Sequence, residues 1–189
     1  MQALLQLLNG IRPMSGELQR HLLSILQQKD LKRGDLLLRK GQVCRQICFI
    51  NKGLLHSYQE KDEKKITSWL MREFNVIISV KSFFMQVPSS EWIEALEETE
   101  LYYVTYADLQ QTCNDYVEFN YHRAELTEKY YVLENDHRLT MQKGKAIERL
   151  QWFVQTFPKL IDRVPARHIA SFLGLREETL SRIKSQAGL

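Results

Sequence analysis

The feature that most restricts the fold of this chain is a change of hydrophobic period that occurs twice. Between Leu31 and Leu109, apolar and β-branched residues come in short runs that glycines and charged turns separate. On either side of this region the apolar residues recur at helical spacing. The runs are DLLLRKG, QICFINKG, LLHSYQ, KITSWLM, NVIISV and LYYVTY. Many short strands at this spacing predict a β-barrel or jelly roll between two helical regions.

The two flanking regions predict helices of different length. Residues 1–30 predict helices interrupted at Arg12-Pro13. Beyond Asp108, residues seven apart interleave at steps of three and four, which predicts one long helix with a heptad seam. The seam consists of Tyr116, Phe119, Arg123, Leu126, Tyr130, Leu133, His137 and Thr140. A helix packed on its own barrel explains this pattern equally well, but the length of the helix favours a dimer seam.

Composition argues against several other classes of protein. With 44% hydrophobic residues among 189, the chain can build a sizeable core, and no apolar run is long enough to cross a bilayer. The first residues lack the basic segment and cleavage site of a signal peptide, so we expect a cytoplasmic protein that does not enter membranes. An odd number of cysteines (Cys44, Cys48 and Cys113) argues against a disulfide framework and predicts buried thiols.

Residues 166–184 meet the requirements of a helix-turn-helix. Ala170 is small enough for two helices to cross closely, and Gly174 can adopt the positive φ that the turn requires. The predicted buried positions are all apolar: Ile169, Leu173, Leu175, Leu180 and Ile183. From Arg163 onward the chain has five basic and two acidic residues, which suggests an anionic partner.

The second of these helices is expected to present the DNA-contacting side chains on its outward side. Its candidate DNA contacts are Arg176, Glu177, Glu178, Thr179, Ser181, Arg182 and Lys184. Arginine can bind guanine bidentately and glutamate can accept from cytosine, so we predict that the arginines and Glu178 read base edges. The hydroxyls and Lys184 would hold phosphates. A solvated charged face is the alternative explanation.

A barrel, a long helix and a C-terminal helix-turn-helix, in that order, resemble the Crp/Fnr family of bacterial transcription regulators. The stretch GDLLLRKGQVCRQICFINKG is similar to the first barrel strands of the family, and IASFLGLREETLSRI is similar to its helix-turn-helix. The family's recognition helix tends to begin with Arg-Glu-Thr, followed by a later arginine. Glu178, Thr179 and Arg182 match this pattern, whereas Glu177 stands where the first arginine is expected, and Arg176 is the candidate to replace it.

The resemblance implies an α+β fold in three parts. These are N-terminal helices with a double-stranded β-helix (jelly-roll) sensory barrel at residues 1–115, a dimerisation helix at 116–143 and a helix-turn-helix DNA-binding domain at 144–189. The partners it implies are a second copy of the chain, double-stranded DNA with an inverted repeat, and RNA polymerase. After Ile183 only KSQAGL remains, so we expect no β-hairpin wing of the kind that many relatives have.

Binding of cyclic AMP is not expected. Relatives that bind a cyclic nucleotide have a Gly-Glu pair and an Arg-Ser/Thr-Ala triplet, and NVIISVKSFFMQVPSSEWIEALE contains neither. Lys81 and Ser89-Ser90 are weak candidates for holding an anion there. Candidate contacts to another effector are Arg123, Tyr130 and His137, because these polar groups interrupt the apolar seam between barrel and helix. No cofactor is predicted, since the cysteine cluster of the iron–sulfur members is also missing.

Catalysis is not expected either. No two histidines lie close in sequence, which argues against the metal site of a cupin enzyme, and the glycines form neither G-x-G-x-x-G nor a P-loop. We therefore predict no catalytic residue and no metal ligand. The alternative function is an effector-binding or protein-interaction barrel whose terminal helices dock a protein partner.

Overall fold

A computed structural model describes residues 1–62 and 64–188 of the chain. Its helices are α1 (Gln2–Ile11), α2 (Gly16–Ile25), α3 (Val80–Met85), α4 (Tyr106–Asp115), α5 (Phe119–Lys143), α6 (Ala146–Thr156), α7 (Leu160–Arg163), α8 (Ala166–Phe172) and α9 (Glu177–Ala187). Its strands are β1 (Gln27–Leu31), β2 (Leu36–Leu38), β3 (Gln46–Lys52), β4 (Leu54–Lys61), β5 (Lys64–Arg72), β6 (Val76–Ile77), β7 (Trp92–Ala95) and β8 (Thr99–Thr105). The α+β class and the order of helices, strands and helices are confirmed.

The chain forms two compact units. The first comprises Met1–Gln59 and Trp69–Thr127, and the second comprises Glu60–Ser68 and Glu128–Leu189. The strands make two four-stranded sheets, in the orders β1-β8-β3-β6 and β2-β7-β4-β5. Strand β8 runs antiparallel to both of its neighbours. The core of the first unit lies between the sheets, where side chains such as those of Ile50, Leu55 and Leu101 are fully buried.

Three features of the first unit differ from the sequence prediction. Strand β1 falls in the region predicted to be helical; its sequence QQKDL is almost entirely polar, which an edge strand tolerates because one side of it faces solvent. Strand β7 was not predicted, because its four residues are too few to show an alternation of apolar and polar side chains. The predicted strand NVIISV is a strand only at β6, and helix α3 begins at Val80.

The long helix begins later than the predicted residue 116. Tyr116 is the C-cap of α4, and its ring lies 4.8 Å from the ring of His21 in the first unit. Phe119, the first residue of α5, is only 7% exposed and stacks with His122. Both residues thus make contacts within the first unit, and their part in a dimer seam stays a prediction.

The second unit is held together by an aromatic cluster. Phe153, Phe157 and Phe172 are buried and contact one another, with ring centroids 5.4 to 6.0 Å apart. Trp152 packs edge-on to Phe157, and the ring of His137 stacks on that of Phe172 at 4.3 Å. These contacts connect the C-terminal half of α5 and helix α6 to α8, the first helix of the predicted helix-turn-helix.

Candidate nucleic-acid interface

The turn between α8 and α9 has the geometry predicted from the sequence. The amide of Leu173 donates to Ile169 O (2.9 Å), and the amide of Leu175 donates to Ala170 O (2.8 Å). Between them Gly174 adopts φ +62°, a left-handed conformation that costs glycine little. Helix α8 therefore ends with its last carbonyls paired, and the chain reverses within a few residues to start α9.

The inner sides of α8 and α9 are packed as predicted. Ile169, Leu173, Leu180 and Ile183 are at most 4% exposed, and Ala170 is 1% exposed. Leu175, also predicted to be buried, is half-buried. Burial of these apolar side chains fixes the rotation of α9 about its axis, since a rotated helix would expose Leu180 and Ile183 to water. The same packing determines which residues of α9 face outward.

The outward side of α9 carries the predicted contact residues. Arg176, Glu177, Glu178, Ser181 and Arg182 are exposed, and Thr179 and Lys184 are half-buried. Within residues 1–62 and 64–188, the side chains of Arg176, Arg182 and Lys184 form no hydrogen bond and no ion pair. All three charged groups are thus available to an anionic partner.

The start of α9 is stabilised by charge and has no side-chain cap. Arg176 is the N-cap residue and its side chain accepts no bond from the helix. Glu177 and Glu178 lie in the first turn, where carboxylates interact favourably with the partial positive charge of a helix N-terminus. The two glutamates therefore have a structural role besides any contact with cytosine.

Arg149 of α6 is a positioning residue that the sequence did not identify. Its Nε donates to Gly144 O (2.9 Å) and its Nη1 to Leu173 O (3.1 Å), so one guanidinium joins the start of α6 to the end of α8. Gly174 lies against this group: a Cβ on the glycine would lie 3.3 Å from Nη1 of Arg149. The position of Arg149 among the apolar residues of α6 was the only sequence indication of such a role.

The three candidate effector contacts do not form one site. Arg123 belongs to the first unit, is exposed, and donates through Nη1 to Sγ of Cys113 at 3.5 Å. His137 belongs to the second unit. Tyr130 lies between them in sequence and is half-buried. Contact of an effector with any one of these three residues stays a prediction.

His137 instead joins α5 to α8. Its Nε2 lies 3.3 Å from Phe172 O, and its ring stacks on that of Phe172 at 4.3 Å and also contacts that of Trp152 at 5.3 Å. Burial lowers the pKa of His137, while the Phe172 carbonyl and the charge of Glu134 partly oppose that shift. The ring is accordingly neutral at pH 7, with its proton on Nε2, where it donates to the carbonyl.

The predicted seam lies on the side of α5 that its own chain partly covers. Leu126, Tyr130, Leu133, His137 and Thr140 are all half-buried. At 3.6 residues per turn, Tyr121 and Val132 lie on the opposite side of the helix from this seam. They are 55% and 57% exposed, and the neighbouring Tyr131 is 74% exposed. The exposed apolar surface of α5 was missed because its residues do not recur at heptad spacing.

The region expected to lack a nucleotide site contains a buried hydroxyl pair. Ser79 Oγ and Ser89 Oγ lie 3.0 Å apart, and Ser89 Oγ also donates to Glu91 O at 2.9 Å. Lys81 is exposed on α3, and Ser90 is exposed. With the Ser89 hydroxyl already engaged inside the chain, the structure does not bring these groups together as an anion site.

The described part of the chain gives little support for a metal site or a membrane-spanning helix. No three side chains of histidine, cysteine, aspartate or glutamate within it are grouped so that they could ligate a metal ion. All three thiols are buried, as predicted. His56 and His122 are core histidines with no exposed surface. None of the described helices is both long and apolar enough to span a membrane.

The chain was compared with known protein families and solved structures, and several have a similar fold. Residues 28–116 match the family model of the cyclic nucleotide-binding domain. FixK2 from Bradyrhizobium japonicum has a similar structure, with a TM-score of 0.75 at 17% identity over 87% of this chain and 85% of that one. The c-di-GMP-responsive global regulator CLP of Xanthomonas campestris aligns with a TM-score of 0.72 at 12% identity over 92% of each chain.

A third solved structure has a similar fold. A Crp/Fnr-family transcriptional regulator of Eubacterium rectale aligns with a TM-score of 0.70 at 15% identity, over 93% of this chain and 84% of that one. Among curated protein sequences, none matches the chain. The predicted resemblance is thus confirmed at the level of the fold, and the matched segment lies in the predicted sensory barrel.

Proposed function

We propose that this chain, which has a cyclic nucleotide-binding domain at residues 28–116 and the fold of Crp/Fnr transcription regulators, is a homodimeric regulator that binds DNA through α9. It would act in the cytoplasm and have no catalytic role. The observation that carries the proposal is the outward side of α9, where three basic side chains make no bond within the described chain while the opposite side is buried.

The arrangement of α8 and α9 suits insertion of α9 into the major groove. In helix-turn-helix proteins the N-terminal residues of the second helix contact base edges, and the first helix crosses the DNA backbone. Arg176 and Glu178 lie at the N-terminal end of α9, and Arg182 lies one turn further along the same side. These three residues would read bases, while Thr179, Ser181 and Lys184 would mainly hold phosphates.

A dimer would present two such helices to one face of the DNA. We assign the contact between copies to the exposed side of the C-terminal part of α5, at Tyr131 and Val132. Aromatic residues are enriched in interfaces, and exposed apolar side chains on one helix are stabilised by a partner that covers them. The two α9 helices would then lie about 34 Å apart and read an inverted repeat.

Selection of bound duplexes from a randomised pool tests the DNA-binding function. Wild type should enrich a two-fold symmetric site. Arg182→Ala should weaken binding to it by about 1–3 kcal/mol and relax the preference at one base pair of each half-site. Arg20→Ala removes the same charge from an exposed position of the first unit and should leave the selected sequence unchanged.

Salt dependence distinguishes DNA binding from the protein-docking alternative. If α9 contacts phosphates, the logarithm of affinity should fall linearly with the logarithm of salt concentration, because bound counterions are released from the DNA. Lys184→Ala should reduce that slope by about one contact and weaken all sequences alike. A folded dimer that enriches no duplex at low salt would instead favour a protein partner for the terminal helices.

A further inference from the structure

The first unit encloses a cavity of about 400 Å³ that opens to solvent beside the start of β3. Its walls combine aliphatic and polar groups and come from β2, β3, β6, β7 and the adjoining loops. The aliphatic lining residues are Leu37, Leu38, Val43, Ile77, Ile78 and Ile93. A volume in this range suits a small organic ligand, and an aliphatic wall favours one with an apolar body.

Two thiols complete the apolar part of the wall. Burial raises the pKa of Cys48 to about 12, and burial also raises the pKa of Cys44. Both groups are therefore neutral thiols at pH 7, which makes them poor nucleophiles and poor metal ligands. They contribute to the cavity as small apolar groups, so a site for a metal ion or an electrophile is not favoured here.

The polar lining residues come from one segment at the mouth. They are Gln42, Arg45 and Gln46. Arg45 is exposed, and within the described residues its guanidinium makes no hydrogen bond or ion pair. The only cation that lines the cavity thus stands at its entrance and is available to a ligand, flanked by two amide side chains that can donate hydrogen bonds.

The groups around the cavity limit where a ligand can carry negative charge. Burial raises the pKa of Glu91, hydrogen bonds from Ser79 and Ser57 partly oppose that shift, and the charge of Glu91 makes only the smallest contribution to the raised pKa of the Cys44 thiol in the wall. Arg45 favours an anion at the mouth, whereas the aliphatic side chains further inside offer an anion no partner. A cyclic nucleotide fits poorly because the aliphatic wall offers few partners to its ribose and base, and unpaired polar groups are costly to bury.

We infer that the cavity binds a small apolar monocarboxylate, with its hydrocarbon body among the aliphatic side chains and its carboxylate at Arg45. Such a ligand is the chemical class that the wall, the volume and the single accessible cation select together. The inference concerns ligand binding by the first unit in the absence of DNA. It goes beyond the proposed DNA-binding function, and either one can fail without the other.

Four probes test this inference, and three of them have the same eight-carbon chain length. Octanoate, octan-1-ol and octylammonium differ only in the head group, and cyclic AMP is the fourth probe. Calorimetric titration of the full chain at pH 7 should rank octanoate above octanol by about 1.4-fold to fivefold, the worth of one solvent-exposed ion pair. Octylammonium should bind more weakly than octanol, and cyclic AMP should give no heat of binding.

Variants separate the head-group contact from the cavity itself. Arg45→Gln should lower octanoate affinity to that of octanol, while Arg39→Gln, at an exposed arginine outside the lining, should change nothing. Ile78→Trp fills the cavity and should abolish binding of octanoate and octanol. Because a core change can impair folding, the circular dichroism spectrum and melting temperature of each variant are compared with those of wild type.

Nuclear magnetic resonance locates the bound ligand independently. In methyl spectra of isoleucine-labelled protein, octanoate should shift the resonances of Ile77, Ile78 and Ile93 and leave those of Ile169 and Ile183 in place. Any of three results would overturn the inference: tighter binding of octylammonium or cyclic AMP than of octanoate, an unchanged octanoate preference in Arg45→Gln, or no binding of any eight-carbon probe.

Discussion

The amide of Thr67 donates a hydrogen bond to Oγ of Ser171 over 2.9 Å, which ties β5 to the middle of α8. The same hydroxyl lies 3.4 Å from Lys65 O, to which it donates. Both partners belong to the second compact unit, so residues near the β4–β5 turn form one body with the helix-turn-helix. One serine side chain thereby bonds to two main-chain groups of β5.

Loss of this hydroxyl should loosen the β5 end of the second unit. Ser171→Ala leaves the Thr67 amide unpaired in a partly buried position, which should cost about 1–2 kcal/mol of the free energy of unfolding. Hydrogen exchange should show faster exchange of the Thr67 amide. Ser185→Ala, at an exposed serine of α9, is the matched control and should leave that exchange rate unchanged. Equal protection of Thr67 in both variants would contradict the role of Ser171.

The turn of the helix-turn-helix should be sensitive to a single methyl group. Gly174→Ala places an L-residue at φ +62° and brings its Cβ to 3.3 Å from Arg149, so we expect a loss of about 1–2 kcal/mol in urea unfolding. Gly10→Ala is the control, because Gly10 lies in α1 and has no atom within 4 Å of the added methyl. That change should be neutral or stabilising. A stable Gly174→Ala variant would show that the turn tolerates other conformations.

Arg149 should affect DNA binding without touching DNA. Arg149→Met keeps much of the side-chain length but removes both bonds to Gly144 O and Leu173 O, which should destabilise the second unit by about 1.5–3 kcal/mol. Affinity for DNA should fall while the selected sequence stays the same, since no base contact is lost. Arg20→Met, at an exposed helical arginine that bonds only to Gly16 O, should change neither property. Altered base preference in Arg149→Met would make Arg149 a direct contact instead.

Local patterns predicted the helix-turn-helix because its requirements are local. Ile169, Ala170, Gly174 and Leu180 satisfy packing and turn geometry within a short span, so their spacing alone identifies the motif. The role of Arg149 could not be predicted in this way. Its acceptors lie at Gly144 and Leu173, and only the folded unit shows that their carbonyls point towards one guanidinium.

The face of a helix that meets a partner is harder to predict than the helix itself. The heptad pattern predicted most of α5, but burial shows that Phe119 and His137 pack inside their own units. A heptad pattern indicates which side of a helix is covered, but it does not indicate whether the same chain or a second copy covers it. Strand β1 was missed for a related reason, because an edge strand needs few apolar residues and QQKDL has none before its last position.

Acidification should weaken the second unit through His137. Its pKa is lowered in the folded state, so the unfolded chain takes up the proton first as pH falls below about 6.5. The stability that the neutral ring contributes is therefore complete above that pH and is lost as pH falls towards the lowered pKa of the folded state. Urea unfolding of wild type and His137→Gln from pH 7.5 to 5 should give curves that converge on acidification. A constant difference across this range would contradict the assignment.

The exposed side of α5 should control dimerisation. Tyr131→Asp with Val132→Asp places two charges where Tyr131 and Val132 are 74% and 57% exposed in the single chain, so the isolated unit should remain folded. Burying these charges in an interface would cost about 3 kcal/mol or more, which weakens the dimer at least about a hundredfold. Sedimentation should show dimers of wild type and of Lys129→Ala, an exposed control on the same helix, but monomers of the double variant. Wild type that stays monomeric at micromolar concentration, or a double variant that still dimerises, would rule out this side of α5 as the interface.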